Sequence, residues 1–356
     1  MAGQHIGIAG AGLLGRLLAW QLSSRGHRVT VFDPAPNGEA RGAAGWTAAG
    51  MLSPLAELEC GDARVAQLGL RSLDLWAGIV AQLPQPVDFR RDGSLLLAHG
   101  ADLASAQRLL AQIAPKAPPG LVPERLTLAQ IHALEPDVQG PAHAWLLRTE
   151  GQIHTVQAMQ SLAHAASQRG VRWRWSHAVR ELAPGRIDGE RFDAVFDVRG
   201  LGARPDLPLR GVRGEIVWLH APGLSLRRAL RVMHPRSRVY LVPRPGDIVV
   251  VGASEIESED RSPVSVRTLL GLLSAAHSVL PALAEARVVH TETNLRPALP
   301  DNLPCLEIQP GLIRINGLFR HGWLLAPALV EDALRLGGFD TDEPAMKRTP
   351  IEEPTS

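Results

Sequence analysis

Apolar residues alternate at Ile6 and Ile8, then give way to Gly10-Ala11-Gly12-Leu13-Leu14-Gly15. Beyond that turn, Leu14, Leu17, Leu18 and Leu22 recur every three or four residues, the stripe of a helix with one buried face. Gly26 supplies the left-handed residue that ends such a helix. The run RVTVFD that follows reads as a second strand, with Asp33 at its end.

The helical period returns at RSLDLWAGIVAQL, at residues 103–113 and at TLAQIHALEP, which Thr127 caps and Pro136 stops. VDFRRDGSLLLAHG reads as two strands around the turn Asp92-Gly93. A helix from about Thr155 to Gly170, a strand over 171–175 and the strand in RFDAVFDVRGLGAR restore the early strand and helix pattern. Between Val212 and Arg296 the period changes to two. VRGEIVWLH, RVYLVPR and DIVVVGAS predict strands, the last two joined as a hairpin by PGD, and one helix is predicted over 266–279. LIRIN predicts a last strand, followed by a helix from near Trp323 with Pro327 in its first turn.

This change of period predicts a discontinuous α/β chain of α+β character overall. A Rossmann-like cofactor domain takes 1–83, 150–205 and 300–345. A mainly antiparallel sheet domain takes 84–149 and 206–299, and 346–356 is a flexible tail. The length of 356 residues suits two units, and 45% hydrophobic residues suffice for a core. A formal net charge of +1 gives no reason to expect nucleic acid or an anionic membrane as partner. No apolar run is long enough to span a bilayer, and MAGQHIGIAGAG lacks the marks of a signal peptide. Cys60 and Cys305 stand far apart in no metal-like spacing. The expectation is a soluble, cytoplasmic protein without a metal, in a reducing compartment.

The glycine-rich turn between strand and helix carries chemistry. Gly10 permits the tight turn, Gly12 lets a pyrophosphate approach the backbone beside Leu13 and Leu14, and Gly15 lets helix and strand pack closely. The helix N-terminus offers unpaired N–H groups to phosphates, and Asp33 can accept from a ribose diol. These residues alone fit a nicotinamide or a flavin dinucleotide. The next stretch, PAPNGEARGAAGWTAAGMLSP, reads as a small-residue loop in place of the next helix-strand unit. Ala48, Ala49, Gly50 and Met51 would let backbone run against a large planar ligand, or would form a flexible surface loop.

Two arginines remain. Arg296 lies between the sheet domain and the last cofactor segment, and Arg320 interrupts the apolar stretch INGLFRHGWLLAP. Guanidinium holds a carboxylate through two parallel hydrogen bonds, or each arginine serves a structural ion pair. The helix N-terminus at Gly322, Trp323 and Leu324 presents free N–H groups that favour negative charge. His321 beside it has no spacing that marks it as a base.

Together, GAGLLG, TAAGML, VYLVPRPGDIVVVGAS, NLRPALPD and GLFRHGWLLAP resemble the FAD-dependent D-amino acid oxidase superfamily, most closely its glycine oxidase (ThiO) branch. The resemblance spans nearly the whole chain. It implies noncovalent FAD and oxidative deamination of a small amino acid, most readily glycine, by O2 to glyoxylate, ammonia and peroxide. A D-amino acid dehydrogenase and a sarcosine-type oxidase of the same superfamily are the alternatives. It implies that Arg296 pairs with the substrate carboxylate, that Tyr240 lies beside the substrate and that Arg320 lines the site. Val179 would place its backbone at adenine, while Gly200 and the His321–Leu324 loop would serve the flavin. Glu255 and Arg238 stand where other members carry methionine and histidine, and Glu255 either holds a substrate ammonium or is a solvated strand end. A homo-oligomer and a thiazole synthase partner are further implications.

Overall fold

Ile6, Ile8 and Ala9 are fully buried because the His5–Ala9 strand runs through the middle of a six-stranded sheet. In the computed structural model, which describes residues 3–59, 63–234 and 237–339, its neighbours are Arg28–Phe32 and Ala194–Asp197, both parallel to it. Arg172–Arg174 and Leu312–Asn316 extend the sheet in parallel on either side, and the outermost strand, Cys305–Gln309, is antiparallel. Parallel strands are covered on both faces and therefore read as apolar runs. Helices Leu13–Ser24, Thr155–Gln168 and Gly322–Leu336 supply one cover, sharing a core with Leu17, Leu18, Leu162 and Leu325. Ile187 and Phe192 pack with Ala9 and Phe32 in a second, smaller core.

An eight-stranded sheet forms the other layer. Its order is Arg287–Ala298, Arg210–His220, Ile248–Gly252, Ser237–Arg244, Ala229–His234, Ser94–Ala98, His143–Leu147 and Glu124–Leu126. All pairings are antiparallel except that of Ala229–His234 with Ser94–Ala98. Val217, Leu219, Leu241, Val249 and Val251 share one face, buried with Leu272, Ala276 and Val279 of the Val266–Val279 helix. The register sets Arg231, Tyr240, Gly252, Ile216 and Glu292 in one row across five strands of the opposite face.

Several elements depart from the sequence reading. Phe89–Arg90 and Ser94–Ala98 flank Asp92-Gly93 but do not pair with each other. Arg90 pairs with Gln152 in a separate three-stranded sheet, and Ser94 pairs with Leu147. Gly93 has φ +82°, and its N–H donates to Glu150 O, so the turn hands the chain from one sheet to another. The small-residue loop after Asp33 contains a helical turn, Ala44–Thr47, and ends in the strand Met51–Leu52.

Pro327 is the sixth residue of the Gly322–Leu336 helix and so lies beyond the first turn. Without an N–H it leaves the Trp323 carbonyl unpaired within the helix. The Trp76 indole donates to that carbonyl at 2.8 Å, and the two indole rings stack 5.4 Å apart. Among the described residues no helix is long and apolar enough to cross a membrane. Cys60, the Arg238 side chain and the tail 346–356 lie outside the described structure.

Candidate active site

A cleft of about 2340 Å³ runs between the two large sheets. Its first wall is the turn after His5–Ala9. Gly10 has φ +107°, and a Cβ there would come 2.6 Å from Val198 O. A Cβ on Gly15 would sit 1.9 Å from Gly10 O, so the helix rests directly on the turn. Gly15 therefore acts through packing and does not line the cleft, unlike Gly10, Gly12, Leu13 and Leu14. Gly12 caps the helix, no side chain bonds its first N–H groups, and no acid occupies its first turn. Asp33 is fixed at the neighbouring strand end, accepting from Ala11 N at 2.6 Å and Ala35 N at 2.8 Å. Val179 and Gly200 also line the cleft. Gly200 sits at φ +55°, and its carbonyl accepts from Asn316 Nδ2.

Arg16 is a lining residue that the sequence reading missed. It is 2% exposed and donates to Ala11 O, Met159 O and Gly38 O. Burial draws its pKa down to about 10 against the opposing pull of Asp33. Arg16 lies on the face opposite the Leu14, Leu17, Leu18 and Leu22 stripe, and only the burial of the helix nearly all round encloses it.

The loop after Asp33 is clamped from behind. Asn294 Nδ2 reaches Arg41 O, Ala43 O and Thr47 Oγ1 at 3.1–3.3 Å. Thr155 Oγ1 donates to Ala48 O, and Arg244 Nη2 donates to Ala49 O at 2.7 Å. Ile153 N donates to Gly50 O, and Trp323 Nε1 to Gly45 O. Gly50 has φ +80°, and a Cβ there would fall 2.0 Å from Ile153 O. These bonds hold Ala48, Ala49, Gly50 and Met51 as a wall of the cleft.

Opposite that wall, the Gly322–Leu336 helix begins with no side-chain cap and no acid in its first turn. Gly322 and Trp323 line the cleft, but Leu324 and His321 do not. Leu324 lies in the core, its side chain filling the space above Gly69. His321 is 5% exposed, with Nδ1 3.3 Å from Glu57 Oε2. Burial lowers its pKa, with Glu57 opposing, so the ring stays neutral behind the wall.

The sheet side of the cleft carries Tyr240 and Arg296. The Tyr240 ring fills the volume above Gly252, where a Cβ would come 2.7 Å from its Cε2. Arg296 fills the volume above Gly214 in the same way, 2.5 Å from Nη2. Arg296 donates to Ser254 O at 3.1 Å and to Arg213 O at 3.4 Å, and it hydrogen-bonds the Tyr240 phenol. Burial raises the Tyr240 pKa although Arg296 and Arg231 oppose it, so the phenol keeps its proton at neutral pH.

Arg320 is bound to a carboxylate that the sequence reading missed. Its Nε and Nη2 both lie 2.8 Å from Glu57 Oε2, and its Nη1 lies 3.5 Å from Glu255. Burial would raise the Glu57 pKa, but Arg320, His321 and Arg231 together hold it at about 2. Arg320 is therefore neutralised by the protein itself, and the half-exposed Glu255 faces it from the cavity mouth. Arg231, also unforeseen, reaches Glu57 Oε1 at 3.4 Å. Neither Glu57 nor Arg231 belongs to a local motif, since their meeting depends on how the chain folds back.

A family profile described as FAD dependent oxidoreductase (DAO) matches residues 5–333. A Rhizobium etli protein that carries the name thiamine biosynthesis oxidoreductase ThiO is 38% identical over 330 residues, 92% of this chain and 94% of its own. Glycine oxidase of Geobacillus kaustophilus is 27% identical over 346 residues, covering 90% of this chain and 89% of that protein. Its crystal structure superposes with a TM-score of 0.82 at 25% identity over 96% of both chains. A bifunctional ThiO/ThiG protein of Nostoc sp. is 28% identical over 361 residues, 93% of this chain but 52% of its own length.

Proposed function

Because the chain belongs to the FAD-dependent oxidoreductase family, we propose that it oxidises the amine of a small amino acid, with glycine as the first candidate. The observation that carries this reading is Arg296. It is a guanidinium facing the cleft whose hydrogen bonds go to two carbonyls and a phenol, with no ion pair to a carboxylate among the described residues. A substrate carboxylate completes it.

The residues fit the cofactor. Two uncapped helix N-termini, at Gly12 and at Gly322, face the cleft where a pyrophosphate and an electron-rich ring would benefit from free N–H groups. Asp33 at the strand end could accept from a ribose, and the clamped wall offers the small residues Ala48, Ala49 and Gly50 to a planar ring. No cysteine or histidine occurs among the described lining residues, and Cys305 packs with Ala203 and Leu207 instead. That supports FAD held without a covalent link.

FAD held in this cleft would supply two-electron redox chemistry between the substrate Cα–H and dioxygen. The protein's own part is positioning. Arg296 grips the carboxylate, and the protonated Tyr240 phenol donates a hydrogen bond beside it. The sheet face supplies room for both, since Gly214 and Gly252 leave open the space that the two side chains fill. Substrate with a neutral amine needs no protein base. The overall change is glycine, O2 and water to glyoxylate, ammonia and hydrogen peroxide, through an imine. Thiazole synthase is the partner we propose for that imine, and the Nostoc relative with both names on one chain supports it.

The test is anaerobic mixing of purified yellow protein with small amino acids while flavin absorbance is followed. Glycine is expected to bleach the flavin, oxygen to restore it with release of peroxide, and Arg296→Lys to slow bleaching at least tenfold. A panel that leaves the flavin oxidised throughout sinks the reading, and reoxidation only by an artificial acceptor turns it into a dehydrogenase.

A further inference from the structure

We propose that Arg231 is a second anion-binding residue of the cleft, and that the preferred substrate is an amino acid bearing a second anionic group. This rests on the reading that Arg296 holds a substrate carboxylate. Arg231 stands directly opposite Tyr240 in the neighbouring strand and projects from the same face. It is 9% exposed and lines the cleft. Its Nε is buried and has no hydrogen-bond partner, and its Nη2 reaches Glu57 only at 3.4 Å.

Glu57 satisfies it only in part, through Nη2. That carboxylate is committed to Arg320, whose Nε and Nη2 approach it to 2.8 Å. One carboxylate thus stands between two guanidiniums, and Arg231 is the loosely held one. A buried guanidinium with an open donor is costly unless something accepts from it, and a ligand anion in the cleft is placed to do so. Burial raises the Tyr240 pKa, and Arg296 and Arg231 both oppose it. Arg231 neighbours Tyr240 in the adjoining strand, and both guanidiniums line the same cleft as the phenol, so a ligand carrying two acidic groups can meet both. The cleft continues past Arg231 to Met233 and to Ser105, Arg108 and Gln112 on the Leu103–Ile113 helix. Glu59 also lines that end, which limits the second arm to a short one.

The probes are pairs that differ by one carboxylate. Sarcosine is compared with N-carboxymethylglycine as reductant of the flavin, and propionate with succinate as a ligand that cannot be oxidised. Binding is read from the flavin spectrum of the holoprotein. Succinate is expected to bind about tenfold tighter than propionate, the range of one added charge-assisted contact. N-carboxymethylglycine is expected to exceed sarcosine in kcat/KM by a similar factor. Arg231→Met should bring both ratios close to one, and Arg231→Lys, which keeps the charge beside Glu57 if the first variant folds poorly, should reduce them. Ratios near one in the unaltered protein, or ratios that both variants leave untouched, overturn the proposal. If no amine reduces the flavin, the proposed oxidation falls, while the succinate and propionate titration still decides the role of Arg231.

Discussion

The Tyr240 ring occupies the space that a side chain on Gly252 would need, the two residues facing each other across neighbouring strands with 2.7 Å between the ring and a Cβ at 252. The phenol is thus aimed by an absence of atoms on the next strand. Gly252→Ala should push the ring away from Arg296 and lower kcat/KM about ten- to hundredfold, as ångström-scale misplacement does. Flavin content should not change. Steady-state kinetics with glycine at constant flavin occupancy measures this, and an unaltered kcat/KM would mean that Tyr240 does not position substrate.

Glu57 holds Arg320 directly and Arg231 more loosely. Glu57→Gln strands two mostly buried cations and should cost about 3–5 kcal/mol, the usual penalty for removing one partner of a buried pair. Adding Arg320→Met should recover part of that loss. Thermal melts of the two single variants and the double variant measure the coupling, and strict additivity would show that the pair is not energetically linked.

His154 caps the Thr155–Gln168 helix by accepting from Gln157 N through Nδ1. Burial, then the nearby Arg244, holds its pKa at about 3. A histidine depressed in the folded state binds its proton only after unfolding, so stability falls as pH drops from about 6.5 toward about 3. Because the ring is partly exposed, the loss between pH 7 and 5 should be about 1 kcal/mol. His154→Asn keeps a capping oxygen and should flatten the melting temperature over that interval. Parallel slopes for both proteins would remove His154 from the pH response.

Trp76 gives the Trp323 carbonyl the donor that Pro327 denies it. Trp76→Phe should destabilise the fold by about 1–3 kcal/mol through an unpaired buried carbonyl. In that background Pro327→Ala should restore stability by returning the helical N–H. Urea unfolding of the three variants measures this. A Pro327→Ala change that helps equally with Trp76 intact would break the link.

Much of this was legible in the sequence because it is local. The strand, glycine turn and helix at the start, the Thr127 cap and the Val266–Val279 helix follow from spacing alone. So does the face carrying Val217, Val249 and Val251, since period two fixes it. What was hidden depends on distant partners. The Ala229–His234 strand pairs in parallel with Ser94–Ala98, far back in the chain, and it delivers Arg231. Glu57 lies on a short 3₁₀ turn with no periodicity to mark it. Arg320 stood out as a charge in an oily segment, but its partner is the internal Glu57. Pro327 looked like a first-turn residue because nothing local announces that an indole elsewhere will tolerate it deeper.

The two large sheets meet without sharing a strand, and the loop between them is fastened by separate side-chain bonds from Asn294, Thr155, Arg244 and Trp323. Such a seam lacks the mutual reinforcement of a ladder and gives way one fastening at a time. A dinucleotide lying along it would act as a rivet through both plates. Stripping the flavin should therefore loosen the joint before either sheet frays, and amide exchange would speed up first at residues 41–51.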